Sequence, residues 1–174
     1  MYHCHIHFYL AGCPYRFAKV IKEIPVPEHF THTFSESSTP QKELAAEADV
    51  VLACIADMDV AEALGALLTD RRQDSQLILL ANSSQIGQLS AALPHIWDIW
   101  TLPLSEEELS FRFLRWQSTY KMEKDFWETS HFLEATINHV PNLIWYKNRE
   151  GLHEKVNESF CETVGKTKQQ VEGR

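Results

Sequence analysis

The chain has 174 residues, of which 44% are hydrophobic, 23% charged and 11% aromatic, a composition that builds a packed core and excludes disorder along the whole chain. At roughly 150 residues per domain it makes one full unit plus a fragment, which excludes a multi-domain enzyme. The formal charge of −8 comes with scattered Lys and Arg, so no basic stripe is available for phosphate backbones and nucleic acid is not an expected partner.

Residues 4–10 read as a first strand, with His3, His5 and His7 alternating on one face. His-x-His spacing can serve a metal, but an exposed polar strand face is the expected reading, with no metal site. The opening MYHCHIHFYLAG has no Lys or Arg before its apolar run, and nowhere are there 18 consecutive apolar residues; neither a secretory leader nor a membrane span is expected. The four cysteines, Cys4, Cys13, Cys54 and Cys161, are widely spaced without a C-x-x-C pair, so a disulfide framework is not expected and a reducing, cytoplasmic home is.

Residues 14–24 read as a helix and 29–34 as a second strand. Thr39 followed by Pro40 has the form of an N-cap and first helical position ahead of QKELAAEA. Residues 49–55 (DVVLACI) form a third, almost wholly apolar strand, 60–68 an Ala/Leu-rich helix, 76–80 a fourth strand, 85–93 a weaker helix and 96–102 a fifth strand, with Trp97 and Trp100 expected in the core. Strands alternating with helices, the middle ones apolar on both faces, predict a parallel, doubly wound α/β sheet over residues 1–104.

From Ser105 the sequence runs some 35 residues without Gly or Pro. Acidic residues fill its first turn, and a helix of that length reaches roughly 50 Å. Leu109, Phe113, Trp116 and Tyr120 fall at helical spacing, as do Phe126, Leu133, Ile137 and Val140. Residues 105–140 are therefore expected to be one long helix whose stripe outruns its own domain and pairs with a second copy. From Pro141 to Arg174 the chain reads as a hairpin across Asn148 to Gly151, then two short helices, with Trp145 expected in the core. That length is too short to bury a core alone, so the segment is expected to begin a second domain.

In an open parallel sheet, chemistry sits beyond the C-terminal strand ends. Those ends carry Leu10, Ala11 and Gly12, then Cys54 to Asp57, then Ala81 and Asn82, then Leu102 and Pro103. No Gly-x-Gly-x-x-Gly or Walker loop is among them, so no nucleotide cradle is expected. The runs DVVLACIADMD, QLILLANSS and DIWTLPLSEEELSFRFL resemble, in order and spacing, the third to fifth strands of response-regulator receiver domains, which implies a flavodoxin-like fold. Receivers need an acidic pair after strand one, a phosphoacceptor Asp ending strand three, a hydroxyl residue after strand four and a Lys before the Pro. Here Ala11 and Gly12 offer no acid, Cys54 stands at the phosphoacceptor position, Ala81 at the hydroxyl, and Leu102 precedes Pro103. The resemblance therefore implies a pseudo-receiver without catalytic residues or cofactor.

The tail, FLEATINHVPNLIWYKNREGLHEKVNESFCETVGKTKQQVEGR, resembles the opening of PAS sensor domains through Trp145, Asn157 and Phe160, an incomplete α+β segment over 141–174. A degenerate receiver, a helix and a PAS opening in that order resemble the N-terminal part of bacterial sensor proteins whose output is a GGDEF diguanylate cyclase or a histidine kinase. The resemblance implies a non-catalytic regulatory protein, a homodimer through helix 105–140 coupled to a downstream output domain or partner protein, any enzymatic activity belonging to a longer parent. Two other readings stay open: a phosphoacceptor receiver using Asp57, and a small α/β enzyme with Cys54 or Cys13 as nucleophile and a His as base.

Overall fold

A computed structural model describes residues 2–174; Met1, the first residue of the expected α/β domain, lies outside the described residues. The chain divides into two compact units, Met1–Thr119 and Tyr120–Arg174.

In the first unit the elements are β1 (Cys4–Ala11), α1 (Tyr15–Glu23), β2 (Phe30–Ser37), α2 (Lys42–Glu47), β3 (Val50–Cys54), α3 (Val60–Leu68), β4 (Gln76–Asn82), a 3₁₀ segment (Ser83–His95), β5 (Asp98–Leu102) and α4 (Glu106–Asn138), whose later turns belong to the second unit. The five strands form one sheet in the order β2-β1-β3-β4-β5, and every pairing is parallel. This is the α/β flavodoxin-like order, with its switch point between β1 and β3. The apolar runs explain the centre: β3 is buried at every residue and β4 at all but its ends, because helices cover both faces.

One face packs Tyr9, Val51, Ala53, Leu77 and Leu79 against Ala45, Ala63, Leu67 and Leu89 from α2, α3 and the 3₁₀ segment. On the other, Phe8 meets Phe34 at 5.2 Å, Trp116 at 5.3 Å and Phe113 at 5.5 Å between ring centroids. The long helix thus closes the sheet with Leu109, Phe113 and Trp116, all buried, each contributing about 1.5–3 kcal/mol of apolar burial. Trp116 Nε1 donates to Gln76 Oε1 at 2.7 Å and Gln117 Nε2 to the Pro25 carbonyl at 3.0 Å, fixing the helix's rotation. This corrects the reading of the helix as one continuous pairing stripe: Leu109, Phe113 and Trp116 are consumed by their own domain, with Tyr120 half-buried beyond them, whereas Phe126 and Leu133 are exposed and Ile137 is half-buried.

Two local expectations are also corrected. Helix α2 begins after Gln41, not at Thr39, because the buried Tyr9 hydroxyl accepts from the Gln41 amide at 2.8 Å and donates to the Thr39 carbonyl at 3.3 Å, holding that stretch extended. The weak helix before β5 is 3₁₀ throughout. Trp100 is buried as expected, whereas Trp97 is half-exposed because it precedes β5 on an edge of the sheet.

The second unit holds the C-terminal turns of α4, β6 (Trp145–Lys147), β7 (His153–Val156), α5 (Glu158–Val164) and α6 (Lys168–Val171). Strands β6 and β7 pair antiparallel across a turn in which Asn148 Oδ1 accepts from the Glu150 and Leu152 amides at 2.9 and 3.0 Å. Gly151 takes φ +86° there, a conformation suited to glycine. Asn157, fully buried, is the hub. Its Oδ1 accepts from the Ile144 and Phe160 amides at 3.0 and 3.1 Å. Its Nδ2 donates to the carbonyls of Ile137, Val140 and Asn142 at 2.9–3.2 Å. One side chain thereby joins the end of α4, the approach to β6 and the N-cap of α5.

Candidate functional site

The mouth of the sheet lies where β1 and β3 end side by side, Ala11 opposite Ala53. The chain leaves β1 through Gly12 at φ +62°. A Cβ built there would stand 2.7 Å from the Cys54 carbonyl oxygen and 3.0 Å from Met58 Cε, so both the left-handed backbone and the space demand glycine. The β1–α1 turn is thus pressed onto the end of β3. Its next residue, Cys13, turns inward and donates its thiol to the Leu52 carbonyl at 3.5 Å.

Cys54, the last residue of β3, is buried. Burial pushes its thiol up, against a partly offsetting hydrogen bond from the Ala56 backbone. Cys13 is pushed up to about 12, first by burial and then by the neighbouring Cys54. Reactive cysteines need the opposite environment, with cationic neighbours that favour thiolate, so both thiols stay protonated and behave as small apolar groups at neutral pH.

Beyond β4 a polar clamp spans the mouth. Asn82 Nδ2 donates to the Ala56 carbonyl at 3.0 Å, and the Asn82 amide donates to Gln85 Oε1 at 3.0 Å. Gln85, itself buried, sends Nε2 to the Ile55 carbonyl at 2.8 Å and to the Met58 carbonyl at 3.3 Å. These bonds satisfy the Ile55, Ala56 and Met58 carbonyls of the β3–α3 loop. Sequence reasoning missed Gln85, although Asn82-x-x-Gln85 has the spacing of a capping box.

The remaining positions are apolar or turned away. Ala11 and Ala81 are fully buried, Leu102 is half-buried and Pro103 is exposed. Asp57 is exposed in the loop after β3, while Asp59 caps α3 by accepting from the Glu62 amide at 2.9 Å. Among the described residues no group of three His, Cys, Asp or Glu side chains is placed to hold a metal ion.

His5 and His7 sit on the polar face shared by β1 and β2. His5 Nδ1 shares a hydrogen bond with Thr31 Oγ1 at 2.9 Å, and its Nε2 one with Thr33 Oγ1 at 3.1 Å. His7 bonds Thr33 Oγ1 at 3.0 Å and Ser35 Oγ at 3.1 Å. The imidazoles are therefore engaged in a ladder of hydroxyls that follows the strand register.

In the second unit, Trp145, Asn157 and Phe160 separate by burial. Asn157 is the buried hub, Trp145 lies 5.8 Å from Phe160 between ring centroids, and Trp145 is half-exposed rather than in a core, because the two-stranded sheet offers it no covering layer.

No protein-family profile and no curated protein matches the sequence. Among solved structures, the chain is similar to one described as a CpaE2 pilus assembly protein from Sinorhizobium meliloti 1021, with 12% identity and a TM-score of 0.45 over 60% of this chain and 94% of that one. It is also similar to one described as a CpaE pilus assembly protein from Burkholderia thailandensis E264, with 16% identity and a TM-score of 0.46 over 66% and 98%. The strand order itself defines the first unit as flavodoxin-like. No helix among the described residues is long and apolar enough to cross a membrane.

Proposed function

We propose that this chain is a non-catalytic regulatory segment of a bacterial signalling protein. Its first unit is a pseudo-receiver that works by protein contact, its long helix pairs with a second copy, and its last residues open a PAS sensor linked to an output such as a diguanylate cyclase. The domain boundaries that go with this reading are 1–104, 105–140 and 141–174, with the first turns of the helix docked on the sheet.

The observation that carries the reading is the closed mouth. Gly12 lies against the Cys54 carbonyl with no room for a Cβ, where a receiver places carboxylates around Mg²⁺. Octahedral Mg²⁺ needs oxygen ligands at about 2.1 Å; the carboxylates beside the mouth, Asp57, Asp59 and Glu62, line a cleft with Met58, and among the described residues no three His, Cys, Asp or Glu side chains are placed to hold a metal ion. The coupling half rests on the exposed stripe of α4, where Met122, Phe126 and Leu133 stay open to solvent. Phe126, Leu133 and Ile137 repeat at spacings that suit a helix pair.

The test is incubation with acetyl phosphate and Mg²⁺ followed by intact mass measurement. No phosphoryl adduct is expected. A rapid, Mg²⁺-dependent adduct lost in Asp57→Ala would overturn the pseudo-receiver reading in favour of Asp57 as acceptor.

A further inference from the structure

The end of the sheet opposite the mouth carries a feature that the regulatory reading does not use. Where β4 and β5 begin, the loop after α3 and the turn before β5 border an open cleft of about 720 Å³, lined among others by Arg71, Asp74, Ser75, His95 and Trp97. Two of its lining residues hold buried polar atoms without a partner, Arg71 Nη1 and Ser75 Oγ. Ser75 is only 6% exposed, so its hydroxyl is an orphan inside the protein rather than a solvated surface group. Native proteins leave few such groups, and a concentration of them in one cleft calls for an acceptor.

The charge balance points the same way. Arg72 is neutralised twice, by Asp49 at 2.9 Å and Asp74 at 2.7 Å. Arg71 makes one bond, from Nη2 to the His95 carbonyl at 2.8 Å, which fixes the guanidinium plane but supplies no negative charge. Burial weakens the hold of Arg71 on its proton, the mark of a desolvated cation with nothing opposite it. Arg71 and Ser75 line the cleft with their unpartnered donors buried at its wall, Asp74 of the same lining is held by Arg72, and the half-exposed Trp97 is an apolar wall.

We infer that this cleft binds the phosphate group of a small molecule through Arg71 and Ser75. A tetrahedral oxyanion presents acceptors in several directions and can meet both donors of the α3–β4 loop; guanidinium and hydroxyl groups are its usual partners. The assignment requires the buried Ser75 hydroxyl to turn toward the ligand on binding. Trp97 lies where the organic part of a phosphate monoester would rest.

Isothermal titration of the full chain at fixed ionic strength tests this with inorganic phosphate, phenyl phosphate and acetate. Saturable binding of the two phosphates is expected, with acetate at least tenfold weaker. Ser75→Ala and Arg71→Gln should each weaken phosphate binding tenfold or more. Ser75→Ala keeps the test open if Arg71→Gln fails to fold, because it removes a hydroxyl that holds no bond. Tighter binding of phenyl phosphate identifies a monoester as the ligand, and equal binding identifies free phosphate. No saturable binding at millimolar phosphate, equal binding of acetate, or an unchanged affinity in Ser75→Ala would each overturn the assignment.

Discussion

Replacing Asn157 by Ala removes one side chain and five hydrogen bonds at once. The loss of the α5 cap alone costs about 1 kcal/mol. The Ile144 amide and the carbonyls at the end of α4 then lose the partner that holds them, at about 1–3 kcal/mol for each group left buried and unsatisfied. Even if water recovers some of these bonds, the cost is about 3–5 kcal/mol. A unit as small as Tyr120–Arg174 holds only a few kcal/mol of its own at typical values per residue, so the substitution should unfold the hairpin and α5. Hydrogen exchange read by mass spectrometry is the assay: amides of residues 144–164 should lose their protection, while β3 and β4 keep theirs. Asn157→Asp should fall between, because it keeps both acceptor bonds but turns a carboxylate toward three carbonyls. Protection of the hairpin within about threefold of wild type in Asn157→Ala would refute the hub argument.

Three further outcomes are expected. Burial pushes His32 down to about 4, with His5 adding to the effect. Below about pH 6.5 the unfolded chain therefore holds a proton that the folded ring refuses, and stability falls as pH drops toward 4 and is constant above; denaturant melts should show a loss of about 1–2 kcal/mol after allowance for partial exposure, absent in His32→Asn. Gly12→Asp, which places an acid at the end of β1, should cost about 2–3 kcal/mol through its backbone and the contact with the Cys54 carbonyl, and should bind no Mg²⁺ by titration. Trp116→Ala should cost about 3–5 kcal/mol as a core cavity, whereas Phe126→Ala should leave monomer stability within about 0.5 kcal/mol by the same melts.

The central strands and α3 were legible because long apolar runs and an Ala/Leu block allow few alternatives; α3 occupies Val60–Leu68 as expected from the sequence. The start of α2 was not, because Tyr9, some thirty residues away, decides it through bonds to Thr39 and Gln41. Periodicity placed Leu109, Phe113 and Trp116 on one face of the helix but carries no information about what covers that face, and the sheet covers it. The apolar and thiol chemistry of the strand ends was readable residue by residue, since Ala11, Gly12, Cys54, Ala81 and Leu102 announce it by type. The clamp of Asn82 and Gln85 was not, because its partners are backbone carbonyls of a loop that only the fold brings near. Arg71 and Ser75 sit in a polar loop with no motif at all, and only burial distinguishes them from solvated neighbours.

The regulatory reading requires the exposed stripe of α4 to find a second copy. Light scattering of the full chain over a concentration series measures this directly. A dimer is expected, and Phe126→Ser combined with Leu133→Ser should convert it to a monomer with an intact far-ultraviolet spectrum. A wild-type chain that stays monomeric at every concentration would contradict pairing through the helix.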